Sequence, residues 1–209
     1  MTGVQTCALP ICVPQYRKRV IFVGIREDIV KNKGEFTFPK PKNNSQITIY
    51  DAISDLPSFI PQNQPDIVKY VDSPKNDYQK MMRDKSLFIR NHNYTNHSQK
   101  TIETIKKVPE GGSIKDLSDE DRGDRNYNAL LRKMNRNKPS LTIDTGHRTY
   151  FHYSEPRIPS VREVARLQSF PDVFEFLGPK AEQYRQVGNA VPPLLSYALG
   201  SKIKEYLED

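Results

Sequence analysis

The run RVIFVGI, Arg19 to Ile25, constrains the fold of this chain more than any other stretch. Its apolar, largely β-branched residues follow one another without alternation, the pattern of a strand covered on both faces, which places it in the middle of a sheet. Helical spacing appears elsewhere. Ser98 to Val108 carries Ile102, Ile105 and Val108 at that spacing and is closed by Pro109, Gly111 and Gly112, so a helix is predicted there. Ser160 and Glu163 form an S-x-x-E capping box ahead of Val161, Val164 and Ala165, which predicts another. A third starts at Pro192 and Pro193, and its Leu195, Leu199, Ile203 and Leu207 make an apolar stripe that should pack against something. A short strand is expected at Ser140 to Ile143, whereas 31–46 and 61–96 read as polar surface connections. Strands mixed with helices indicate the α/β class.

The chain has 209 residues, a formal charge of +7 and a mean hydropathy of −0.72. No apolar run approaches the roughly 18 residues that a membrane helix needs. The only cysteines are Cys7 and Cys12, which excludes a disulfide scaffold and a four-thiolate zinc site. His92, His97, His147 and His152 fall in two pairs with no cysteine beside them, so no metal site is expected. Gly111 to Lys115, GGSIK, lacks the full phosphate-loop spacing and reads as a turn after a helix. Charge is uneven: residues 66–148 hold 17 Lys or Arg against 12 Asp or Glu, and 149–209 hold 7 against 8. The basic middle segment fits a surface that meets a phosphate backbone. On charge alone, a solvated basic surface explains it slightly better.

Residues 1–11, MTGVQTCALPI, lack the basic stretch and the apolar length of a signal peptide. Thr2 to Ile11 match, in one frame, the translation of a common sequencing adapter with GTG read as the start codon. Residues 1–12 are therefore expected to be an adapter-derived and junction segment, with Cys7 foreign to the natural protein.

Three segments occur in a telling order: VPQYRKRVIFVGIR (Val13 to Arg26), RIPSVREVARLQSFPDVFEFLG (Arg157 to Gly178) and YRQVGNAVPPLLSYALG (Tyr184 to Gly200). Together they resemble the eighth, ninth and tenth sequence blocks of the DNA cytosine-5 methyltransferases. The resemblance implies an α/β chain: part of a Rossmann-like S-adenosylmethionine-dependent methyltransferase domain, with a small, irregular DNA-recognition domain inserted. On that plan 13–30 is a catalytic-domain strand, 31–156 is linker and target recognition domain, and 157–209 returns to the catalytic domain. The family usually has Gly where this chain has Cys12, and replacing the first base of a GGN codon by the adapter's T gives TGN, which can encode Cys.

In that family the enzyme flips a cytosine out of duplex DNA and adds a cysteine thiolate to C6. C5 then attacks the methyl group of S-adenosylmethionine, and loss of the C5 proton expels the thiolate. The nucleophile lies in a Pro-Cys block, a base-binding Glu in a Glu-Asn-Val block, and the cofactor meets an early glycine-rich loop. This sequence contains none of the three, so the chain alone is expected to be inactive, with an incomplete cofactor pocket. The same absence leaves the Arg19 to Ile25 strand and the Leu195 to Leu207 stripe short of the sheet they should pack against.

The resemblance assigns Arg19 to the flipped base, Arg17 to phosphate and Gln15 to orienting the loop, with His147 and Arg148 as further DNA contacts. Asn189 and Val191 fall to the methionine end of S-adenosylmethionine. Arg162, Glu163, Arg166 and Gln168 organise the recognition domain, and Gln186 and Gly188 are structural. The implied partners are double-stranded DNA and the missing amino-terminal half, in the cytoplasm of a bacterium with a restriction-modification system. Two alternatives stay open: one subunit of a split methyltransferase, and a stand-alone basic DNA-binding module.

Overall fold

A computed structural model of the chain describes residues 4–7, 13–40, 46–58, 67–122, 131–146 and 149–208. In chain order the elements are β1 (Val4–Cys7), β2 (Arg19–Phe22), α1 (Glu27–Lys33), α2 (Ile49–Ile53), β3 (Ile67–Val68), α3 (Asp77–Met82), β4 (Ile89–Arg90), α4 (Gln99–Lys107), a 3-10 turn (Ile114–Asp116), α5 (Asp119–Arg122), β5 (Arg132–Lys133), β6 (Tyr150–Phe151), α6 (Val161–Leu167), α7 (Lys180–Asn189) and α8 (Pro193–Glu208). The strands form three two-stranded sheets: β1 and β2 antiparallel, β3 and β4 antiparallel, β5 and β6 parallel.

The main core is organised around α6. Ser160 caps it, accepting from Glu163 N while Glu163 Oε2 accepts from Ser160 N at 2.7 Å. Every residue from Val161 to Phe170 is buried, so this helix is covered all round rather than on one stripe. α2 and α7 pack against it. Ile49, Ala52 and Ile53 of α2, Tyr78 and Met82 of α3, and Tyr184 and Val187 of α7 join Val161, Val164, Ala165 and Leu167 in one cluster. A smaller cluster gathers Ile105, Val108, Ile114, Leu117, Phe151 and Ile158. The helix expected at Ser98 to Val108 is present as α4, with Ile105 and Val108 fully buried. Segment 61–96 is not only a surface connection, because it contributes α3 and the buried side chains of Ile89 and His92.

Three local patterns do not give the structure that they predict, and two of them, the strand and the α8 stripe, are those expected to be short of a sheet to pack against. The strand is shorter than its apolar run and is not covered: Val20 is 52% and Phe22 71% exposed. Among the described residues only β1 pairs with it, and a two-stranded ribbon offers no layer to either face. The other is the stripe on α8, where Ile203 and Leu207 are exposed and no residue of the helix is buried. Its last turn does find a partner in the 31–46 connection, where Phe36 packs edge-on to Tyr206 at 5.6 Å and Lys33 donates to Leu207 O. Ser140 makes a single bridge with Gln15 rather than a strand.

Candidate functional site

The segments resembling the three blocks meet at the end of α7. Pro14 O accepts from Ser140 N and Tyr16 N donates to Ser140 O, which fixes 13–17 alongside 140–143. Arg17 then reaches inward: its Nη1 donates to Ile143 O at 3.0 Å and to Gly188 O at 2.9 Å. Partial burial and the neighbouring Arg19 charge lower the pKa of its guanidinium from the ordinary arginine value. Gln168 Nε2 donates to Val187 O at 3.1 Å. Two consecutive carbonyls at the end of α7 are thus held by side chains from the other two segments.

Gly188 is required by a close approach. A Cβ built there would lie 2.6 Å from Asp144 O and 2.9 Å from Thr145 N, both backbone atoms. Gly188→Ala is expected to destabilise the chain by about 1–3 kcal/mol, the usual cost of forcing atoms into a packed site. Denaturant unfolding checks this, and an unchanged midpoint would mean that 144–145 simply moves aside.

The remaining predicted residues divide by burial. Arg162, Glu163, Arg166 and Gln168 lie inside. Arg162 donates to the carbonyls of Arg90, Pro171 and Phe174. Glu163 receives a two-pronged hydrogen bond from Arg157 at 2.7 and 2.8 Å. Burial pushes its carboxyl up, but Arg157 and His152 outweigh that and hold it below the usual carboxylate range. Arg166 lies between Asp55 and Asp172. Gln15 is buried with both amide atoms unpaired, beside Ser140, whose hydroxyl is also unpaired.

By contrast, Arg19 is exposed and turns back onto Lys18 O, Gln186 donates to Leu177 O at the surface, and Asn189 and Val191 are exposed. His147 and Arg148 lie outside the described residues. Of the described residues nearest to them in sequence, Asp144 accepts from Gly146 N and from the Thr149 hydroxyl.

Sequence reasoning missed Asp55, Asp172 and Arg157, the ion partners of the block-nine residues. Arg157 and Asp172 stand within that segment, whereas nothing marked Asp55. It also missed the use made of His92 and His152. His92 lies between the Ser160 hydroxyl at 2.7 Å and Pro57 O at 2.9 Å. His152 Nδ1 accepts from Glu155 N. Burial lowers the pKa of both imidazoles to about 4. Among the described residues no group of His, Cys, Asp and Glu could hold a metal, and no helix is long and apolar enough to cross a membrane.

Several known proteins are similar to this chain over most of its length. The Type II methyltransferase M1.HphI of Haemophilus parahaemolyticus is 35% identical over 191 residues, covering 91% of this chain and 44% of that protein. M.DdeI of Desulfomicrobium norvegicum is 35% identical over 217 residues, covering 94% and 52%. The chain thus spans about half the length of these curated relatives. M.AquIB of Picosynechococcus differs: at 36% identity over 137 residues the match covers 60% of this chain but 94% of that protein. A crystal structure described as a candidate DNA modification methyltransferase encoded within an E. coli prophage superposes with a TM-score of 0.74 over 95% of this chain and 58% of that one. At 21% identity it shows the shared fold alone. The family described as C-5 cytosine-specific DNA methylase matches residues 8–205, and the chain belongs to that family.

Proposed function

We propose that this chain is the carboxy-terminal part of a DNA cytosine-5 methyltransferase, carrying target-recognition elements and the segments that brace them, and inactive alone. The observation that carries the reading is the convergence at the end of α7. Arg17 and Gln168 hold Gly188 O and Val187 O, bringing the three family segments together around the 140–149 interval. The bare faces of β2 and α8 support it too, since a catalytic half packed there would cover Val20, Phe22, Ile203 and Leu207. In this reading Arg19, exposed at the start of β2, meets the flipped cytosine. His147 and Arg148 meet DNA, and the protein works in the bacterial cytoplasm at the nucleoid.

For S-adenosylmethionine the fit is partial. Asn189 and Val191 are exposed, and a cavity of about 290 Å³ lined by Asp55, His152, Tyr153, Arg157 and Glu163, among others, does not include them. The residues present make one wall and not a pocket.

A second reading, the subunit of a split enzyme, draws support from M.AquIB, a methyltransferase chain that matches this one over nearly its whole length. Radiolabelled methyl transfer to duplex DNA tests both. The purified chain alone is expected to give none, and co-expression with a polypeptide bearing the Pro-Cys, Glu-Asn-Val and glycine-rich blocks should restore it. Transfer by the chain alone, abolished by replacing Cys7 or Cys12, would overturn the reading. The genomic sequence ahead of Val13 separates the cases: the missing blocks in frame indicate truncation, and a separate neighbouring gene indicates a split enzyme.

A further inference from the structure

Arg17 serves two distant parts of the chain from one nitrogen. Ile143, whose carbonyl it binds at 3.0 Å, leads into a bend at 143–146, where Asp144 accepts from Gly146 N and from the Thr149 hydroxyl. Gly188, whose carbonyl it binds at 2.9 Å, precedes the exposed Asn189 and Val191. Between the two parts there is no slack, because Gly188 lies directly against the backbone of Asp144 and Thr145. Backbone packed on backbone, with a shared cation pinning one carbonyl of each, cannot shift on one side without displacing the other.

We propose that Arg17 is a positioning residue that couples the bend at 143–146 to the 187–191 junction, so that DNA at this bend and cofactor at the junction each favour the placement the other needs. What binds on either side rests on the reading given under Proposed function; the coupling rests on the contacts. By linkage, whatever one ligand does to the affinity of the second, the second does equally to the first. Both contacts use Nη1, so a phosphate met by the other guanidinium N–H groups is compatible with the coupling.

Hydrogen exchange on the full chain tests the coupling. Thr149→Val removes the hydroxyl that Asp144 holds and touches the bend alone. With Arg17 in place, it is expected to raise exchange across 184–191 by about fivefold, the low end of site-to-site coupling. In an Arg17→Gln background, where one amide replaces the shared cation, that rise should fall away. Arg17→Lys should restore it, which a merely space-filling role would not. A Thr149→Val effect confined to 143–149 with Arg17 present, or one that reaches 184–191 equally in the Arg17→Gln background, overturns the proposal.

A mixed-sequence DNA duplex supplies the second arm. It should slow exchange at 143–149 and 184–191 together, and slowing of the bend alone also overturns the coupling. Slowing of neither counts against DNA binding by the bend, while the Thr149→Val arm still decides the coupling.

Discussion

Arg166→Met is expected to cost about 3–5 kcal/mol of stability, the range for removing one partner of a buried ion pair. Arg166 is fully buried and donates to Asp55 Oδ1 at 2.8 Å, to both oxygens of Asp172 at 2.8 and 2.6 Å, and to Ala52 O at 3.0 Å. Burial opposes its charge, but the two carboxylates outweigh that and raise its pKa from the ordinary value. Methionine fills much of the same space, so the loss falls on the stranded anions rather than on a cavity. Asp55 would keep Arg83 at 2.6 Å, while Asp172 would keep chiefly the Tyr70 hydroxyl at 2.5 Å and a longer approach of Arg162 at 3.8 Å. Adding Asp172→Asn should therefore recover part of the loss, a coupling that a double-mutant cycle by urea unfolding reads directly. A cost under about 1 kcal/mol for Arg166→Met would mean that apolar packing alone holds α6, contrary to the expected penalty.

Acidification from pH 7 to pH 5 is expected to weaken the fold steeply. His92 and His152 are buried and neutral, with burial lowering their pKa values to about 4. In the unfolded chain each would titrate near 6.5. Between those values the unfolded state takes up protons that the folded state refuses, so stability falls as pH falls. Each group contributes up to about 1.4 kcal/mol per pH unit, and the pair approaches about 2.7. Glu163, held below the usual carboxylate range, adds a further loss only at lower pH, once unfolded glutamates bind protons. Unfolding free energies at half-unit intervals from pH 7.5 to 4.5 trace this window. The variant carrying His92→Gln and His152→Gln should flatten the slope between pH 6.5 and 5, and an unflattened slope would place the acid sensitivity elsewhere.

What could be read in advance follows from the range over which each interaction acts. The α6 capping box was legible because Ser160 and Glu163 are three residues apart and satisfy each other. Its distant ion partner was not, since Arg166 and Asp55 are 111 residues apart and nothing local to Asp55 announces a buried cation. α3 was hidden in a polar stretch because a six-residue helix shows only Tyr78 and Met82 as its apolar spacing. For β2 the pattern reported what the residues require, cover on both faces. It could not report whether the described part of this chain supplies that cover. Arg17 shows what a motif leaves unsaid: its place in Pro-Gln-x-Arg-x-Arg suggests phosphate, and nothing local to it announces the two carbonyls that its Nη1 meets.

The ribbon of β1 and β2 has a practical consequence for handling the protein. Four residue pairs, from Val4 with Phe22 to Cys7 with Arg19, are all that flank β2 among the described residues. A bare strand edge accepts almost any extended peptide within reach. A purification tag fused ahead of Val13 would sit beside that edge and could become part of the sheet, altering solubility and self-association with its own sequence. Tags on the carboxy-terminal side, or a protease site that clears the leading residues before measurement, would let the behaviour of the edge itself be seen.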